Sequence, residues 1–123
     1  MPNRQTVERF VELVEAGKGI EALELFYADD ASMRENRAPP RTGKAALLAN
    51  EAAAQAAATG MTARCIRPIL IEGDVVVIRW IFDYLDGRGR AVRFEELAYQ
   101  RWAGERILQE QFFYDPAQFK ARE

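Results

Sequence analysis

Apolar residues recur at helical spacing through the first part of the chain. Val7, Phe10, Val11 and Val14 alternate with Glu8, Glu12 and Glu15, which predicts an amphipathic helix ended by Gly17 and Gly19. Ile20, Leu23, Phe26 and Tyr27 form a second, shorter apolar face. Thr42 reads as the N-cap of a third helix, running from about Lys44 to Ala58 and closed by Gly60. That helix is mostly alanine, so its backbone can lie close to whatever it covers. Between the second and third helices, Ala31 to Arg34 is a short strand-like run. It stops at Glu35 and Asn36, ahead of the rigid Pro39-Pro40. Asp29 and Asp30 read as capping the turn that follows the second helix.

The period then shortens. ARCIRPILIEG, VVVIRWIFDYL, AVRFEELAYQRW and RILQEQFFYD are rich in Val, Ile, Phe, Tyr and Trp and predict strands. Gly73-Asp74, Asp86-Gly87-Arg88-Gly89 and Gly104-Glu105 separate them as tight turns between antiparallel neighbours. Helices followed by a strand meander predict one α+β domain over residues 1–123. A three-residue loop with Gly89 left-handed pairs Phe82 with Phe94 and Trp80 with Glu96. The last hairpin stays open on turn chemistry. One register turns Ala98, Gln100 and Trp102 inward, and a slip by one residue presents Glu95 and Tyr99 instead. Val75, Val77 and Ile81 oppose Val76, Ile78, Trp80 and Phe82, so both sheet faces are partly apolar, which predicts a homodimer through the outer face.

Composition narrows the chemistry. The chain has no histidine and a single cysteine, Cys65. Histidine-based triads, Cys-His pairs and an ordinary zinc site are therefore excluded, as is an internal disulfide. No metal and no cofactor are expected, and acid/base work falls to Glu, Asp, Tyr, Lys or Arg. A net charge of -2 with interspersed signs is no nucleic-acid footprint. No apolar run reaches membrane-spanning length, and MPNRQTVERF is neither a signal nor a transit peptide, so a cytoplasmic protein is expected. On residue type alone, Glu35 reads equally as a base or as a solvated or arginine-paired strand-end acid. Trp80 and Trp102 read first as core, and Cys65 as an inert strand thiol.

The stretch VERFVELVEAGKGIEALELFYADDASMREN, with the RTG that follows its proline loop and the ending QRWAGERILQEQFFYDP, resembles the nuclear transport factor two-like superfamily, in its ketosteroid isomerase and SnoaL-like branches. The resemblance implies a cone: a curved antiparallel sheet wrapped around three helices, with an apolar pocket open at one end and dimers through the outer face. It places Glu35 at the position of the isomerase general base, with Asn36 where that branch has proline. Tyr27 falls on a tyrosine of that branch, and Glu51 on a position that bears tyrosine there. The oxyanion-hole tyrosine corresponds to Phe10 and the protonated aspartate to Ala98. Neither residue here can donate, and losing even one oxyanion donor costs about 100- to 1000-fold in rate, which argues against ketosteroid isomerisation. The cyclase branch's histidine is absent too.

For the last hairpin the resemblance favours Trp102, Gln100 and Ala98 inward, facing Leu108, Glu110, Phe112 and Tyr114. The expected pocket then has aromatic walls of Phe10, Trp80, Phe82, Phe112 and Tyr114, with Tyr27 as a hydrogen-bonding residue beside them. Its polar groups are Glu35, Glu51, Glu96, Gln100 and Glu110, with Glu35 and Glu110 the candidate acid/base residues. So many carboxylates must hold protons or be balanced by a cation, either Arg34, Arg64 or Arg93 or a ligand. The expected function is a cofactor-free isomerase, cyclase, dehydratase or hydrolase. The alternatives are a non-catalytic binder of a small apolar or amine-bearing metabolite, and a dimeric interaction module acting through its sheet face.

Overall fold

The apolar spacing of the first helix builds α1, Arg4–Glu15, which buries Val7, Phe10 and Val11. Asn3 caps it by accepting from the Thr6 N–H at 2.8 Å. Gly17, at φ +80°, takes the left-handed turn that ends it. Then come α2, Gly19–Phe26, and α3, Lys44–Ala57. Of α3 only Leu47 is fully buried, as expected of an alanine-rich cover. The computed structural model describes residues 1–119.

The strands are β1 (Tyr27–Glu35), β2 (Arg41–Thr42), β3 (Thr59–Glu72), β4 (Val75–Leu85), β5 (Ala91–Ala103) and β6 (Arg106–Phe113). They form one six-stranded sheet in the order β2-β1-β6-β5-β4-β3. The last four make the expected antiparallel meander. β1 joins its β6 edge in parallel, which brings the first and last strands together. The result is an α+β domain, with its helices on one face of the sheet. Phe82 pairs with Phe94, Trp80 with Glu96, and Gly89 sits at φ +73°. Gln100 pairs with Glu110, and Ala98 with Phe112, so the register with these residues inward holds.

Four local expectations need correction. Leu108 does not face Trp102. A register shift at Arg101/Trp102 pairs Trp102 with Ile107, which is completely buried in the place expected for Leu108. Asp29 and Asp30 cap no turn; β1 starts directly at Tyr27 and carries both as exposed strand residues. Gly43, at φ +97°, rather than Thr42, is the N-cap of α3, and it makes no side-chain cap. Gly60 lies inside β3 at φ +64°, where the pairing with β4 shifts, rather than at the end of α3.

Candidate active site

The inner face of the sheet is packed by alternation along β4 and β5. Val76, Ile78 and Trp80, then Ala98, Gln100 and Trp102, are all buried against the helices. Phe10 plugs the deep end, with Phe26, Tyr27 and Trp102 around it at ring-centroid distances of 5.7, 6.0 and 6.3 Å.

Within this apolar packing lies one polar chain. Trp102 Nε1 donates to Gln100 Oε1 at 3.0 Å, and Gln100 Nε2 donates to Glu110 Oε2 at 2.6 Å. The Tyr27 hydroxyl donates to the other carboxylate oxygen, Glu110 Oε1. Gln100 and Glu110 are the only buried polar or charged residues among the described residues. Burial raises the Glu110 pKa to about 7, against the pull of the two donors, which favour the charged form. Tyr27 is pushed well above its usual value by burial and by the Glu110 charge.

Glu96, half-buried beside its cross-strand partner Trp80, is raised to about 8. Burial is the main cause, followed by the charges of Glu110, Glu35 and Glu51. Glu51, half-buried on α3, accepts from Gln55 Nε2 at 3.2 Å. It presses so close to Gly19 that a Cβ there would stand 2.9 Å from its Oε1. Among the described residues no Arg or Lys forms an ion pair with Glu35, Glu51, Glu96 or Glu110. Of the expected cationic partners, Arg93 pairs with Asp83, and Arg34 Nε is buried without a hydrogen bond. Also among the described residues, no group of three or more His, Cys, Asp or Glu side chains could hold a metal ion.

Glu35 does not meet its expected surroundings. It ends β1 beside Phe112, as its position implies, but it is exposed, not desolvated at a pocket floor. Asn36 explains the missing proline: its φ of +51° is closed to proline. Its backbone N–H donates to the Phe112 carbonyl, and its Oδ1 accepts from the Tyr114 N–H, which ties β1 to the end of β6. Tyr114 is half-buried against Phe94 and Phe119, and burial, followed by the charge of the neighbouring Glu35 carboxylate, raises its pKa. Phe112 packs on the core from its edge.

The open space lies at the other side of Glu51. A cavity of about 230 Å³ is lined by Val14, Gly17, Gly19, Glu51, Gln55, Ala58, Met61, Ala63 and Phe82. Of the residues expected to form a pocket, only Glu51 and Phe82 line it. Phe10, Tyr27, Trp80 and Gln100 are part of the packed interior. A larger groove of about 1020 Å³ lies around the tip of the β4–β5 hairpin. By strand alternation, its Asp83, Arg93 and Glu95 side chains are on the face opposite Phe82 and Glu96. Its acids are neutralised, Asp83 by Arg93 and Asp86 by Arg90, so it lacks the uncompensated charge of the inner face. The indole link from Trp102 was not readable in the sequence. Its one signal is that Gln100 and Trp102 are two apart on one strand and so share a face.

No curated protein gives a significant match to the chain. Solved structures do. A proposed SnoaL-like polyketide cyclase from Mesorhizobium loti is 24% identical, with a TM-score of 0.79 over 93% of this chain and 100% of that one. A protein of ketosteroid isomerase-like fold from Catenulispora acidiphila, in complex with trimethylamine, is 17% identical, with a TM-score of 0.79 over 94% and 89%. TerC, co-crystallised with polyporic acid, is 15% identical, with a TM-score of 0.80 over 97% and 95%. These likenesses establish the cone-shaped fold. Residues 7–110 match the SnoaL-like domain, and the chain belongs to that family.

Proposed function

We propose that this chain is a cofactor-free acid/base enzyme of the isomerase, cyclase or dehydratase type, with Glu110 as the group that takes and returns a proton. What supports this reading is the state of Glu110: a buried carboxylate, hydrogen-bonded on both oxygens, with a pKa near 7. A base poised near the working pH maximises both its ionised fraction and its driving force. Glu96 is a second protonatable carboxylate within electrostatic reach. The proposed step removes a proton from a carbon acid beside a carbonyl and returns it at another position, so no oxidant or co-reactant is needed. Glu35, exposed at the rim, is a secondary candidate. The expected setting is the cytoplasm, where the unpaired Cys65 stays reduced.

The test is exchange of carbon-bound protons for deuterium, followed by NMR, across small enolisable ketones and polyketide-like compounds. Glu110→Gln should slow exchange by about 100-fold or more. A competent substrate whose turnover survives Glu110→Gln, Glu96→Gln and Glu35→Gln would end this reading.

A second reading, binding of a small amine, is favoured by the carboxylates without a protein cation around Glu51. The cavity of about 230 Å³ equals about eight water volumes at ~30 Å³ each, which suits a small ligand. Phe82 offers an aromatic wall for a cation. The Catenulispora relative holds trimethylamine. Calorimetry with trimethylamine should give binding that weakens about tenfold in Glu51→Gln, about the worth of one charged contact. Equal binding of neutral tert-butanol would refute the role of charge.

The outer face carries exposed Leu70, Leu97, Tyr99 and Phe113, which suits a homodimer. Sedimentation should find a dimer that Tyr99→Glu dissociates.

A further inference from the structure

We propose that Trp102 is a positioning residue: acting through Gln100, its indole N–H keeps Glu110 Oε2 a hydrogen-bond acceptor and directs the exchangeable proton to Oε1, beside the Tyr27 hydroxyl. The inference rests on the reading of Glu110 as the acid/base group, and it follows from the inventory of donors and acceptors. An indole N–H can only donate. It lies 3.0 Å from Gln100 Oε1 and so fixes the amide with Nε2 toward the carboxylate, 2.6 Å from Oε2. Turning the amide over would set its N–H groups against the indole N–H. Gln100 is 0% and Trp102 2% exposed, so water cannot take over either bond. Gln100 can therefore donate to Oε2 but cannot accept a proton from it.

Oε1 has a different partner. The Tyr27 hydroxyl can donate to an ionised Glu110, and by rotating its O–H it can accept from a protonated one. Of the two oxygens, only Oε1 has a hydrogen bond that reverses without breaking another. The remaining charged groups around Glu110 are acids and donate no hydrogen bond to either oxygen. Glu51 from α3 raises its proton affinity, Glu96 on β5 is coupled to it, and Glu35 on β1 acts on Glu96. No Arg or Lys pairs with any of these four among the described residues.

The test is a Trp102→Phe substitution, which removes the N–H and keeps an aromatic ring edge-on to Phe10. The readout is the pH titration of the Glu110 side-chain carboxyl by carbon-13 NMR. Freed of the indole, Gln100 can turn its carbonyl toward a protonated Glu110. The midpoint should then rise by about one pH unit, a tenfold gain in proton affinity. An unchanged or lowered midpoint in the folded variant overturns the proposal.

Should Trp102→Phe not fold, the native protein decides. The chain has two tryptophans. The Trp102 indole N–H signal should be protected from exchange and should shift with the Glu110 midpoint, near pH 7, whereas that of Trp80, beside Glu96, should follow the Glu96 midpoint near pH 8. A Trp102 indole that exchanges freely, or that is blind to the Glu110 titration, overturns the proposal equally. Absence of turnover on every substrate would sink the acid/base reading and leave these titrations unaffected, so the two failures are separable.

Discussion

Glu95 and Glu96 are neighbours in sequence and opposites in environment. Glu95 points out of the sheet and gives its carboxylate to Arg79 at 3.1 Å, with both side chains about half exposed. Glu96 points inward beside Trp80, meets no cation, and has its pKa raised to about 8. The same division holds more widely. The outer Asp83 is paired with Arg93, while the inner Glu110 rests on neutral donors. Acids that only hold a surface together are neutralised by arginine and screened by water. Acids kept in an apolar interior without a partner cost stability, and that expense is characteristic of functional sites.

The contrast breaks first, and with the largest effect, at Glu110. Glu110→Leu removes the acceptor shared by Tyr27 and Gln100 and leaves two buried donors unsatisfied. It should cost about 2–4 kcal/mol at pH 6, measured by urea denaturation. A loss below about 0.5 kcal/mol, the scale of an ordinary surface substitution, would mean that the carboxylate is not held as described.

Next comes Glu96, where the effect depends on pH. Its folded pKa of about 8 lies above the ordinary 4.5, so between these values the folded state binds more protons than the unfolded one. Stability must then fall as pH rises through that window: the contribution is complete below about 4.5 and gone above about 8. Glu110, raised to about 7, adds a slope of the same sign. Glu96→Gln should flatten the decline and leave the variant more stable than the parent at pH 8.5, by on the order of 1 kcal/mol. Thermal unfolding from pH 5 to 8.5 reads this directly. A variant with an undiminished slope would show that Glu96 ionises without penalty.

Much of this division was legible in the sequence, and the reason is periodicity. Gly89 sets the β4–β5 loop, and the loop sets the register that turns Glu96 inward and Glu95 outward. Glu110 was different: the turn of the last hairpin left two registers open, and only the resemblance to the superfamily favoured the observed pairing with Gln100. The site was misjudged where burial depends on how far other elements extend. Glu35 faces inward by alternation, yet it is the last residue of β1 and is exposed. Periodicity tells which way a side chain points, not how deep it lies. Leu108 was lost to a bulge, which inserts a residue that no alternation predicts. The hydrogen bond from Trp102 to Gln100 depends on rotamers, and a sequence does not print them.

The smallest effect belongs to Glu95, and it is the control that makes the comparison sharp. Glu95→Gln deletes one partner of a half-exposed ion pair, whose attraction is weakened by solvent and by salt. The neutral amide keeps the size of the side chain and can still accept from Arg79. The backbone of Glu95 is held independently: its N–H donates to Gln118 Oε1 at 2.8 Å, and its carbonyl accepts from Gln118 Nε2 at 3.0 Å. Stability should therefore change by less than about 0.5 kcal/mol at any pH from 5 to 8.5, and the decline with pH should keep the parental slope. The two variants differ by one position and share one chemical change, so composition and net charge cannot separate them. If Glu95→Gln flattened the slope as Glu96→Gln does, the side of the sheet would not be what sets the proton affinity, and the inner carboxylates would lose their claim to a special role.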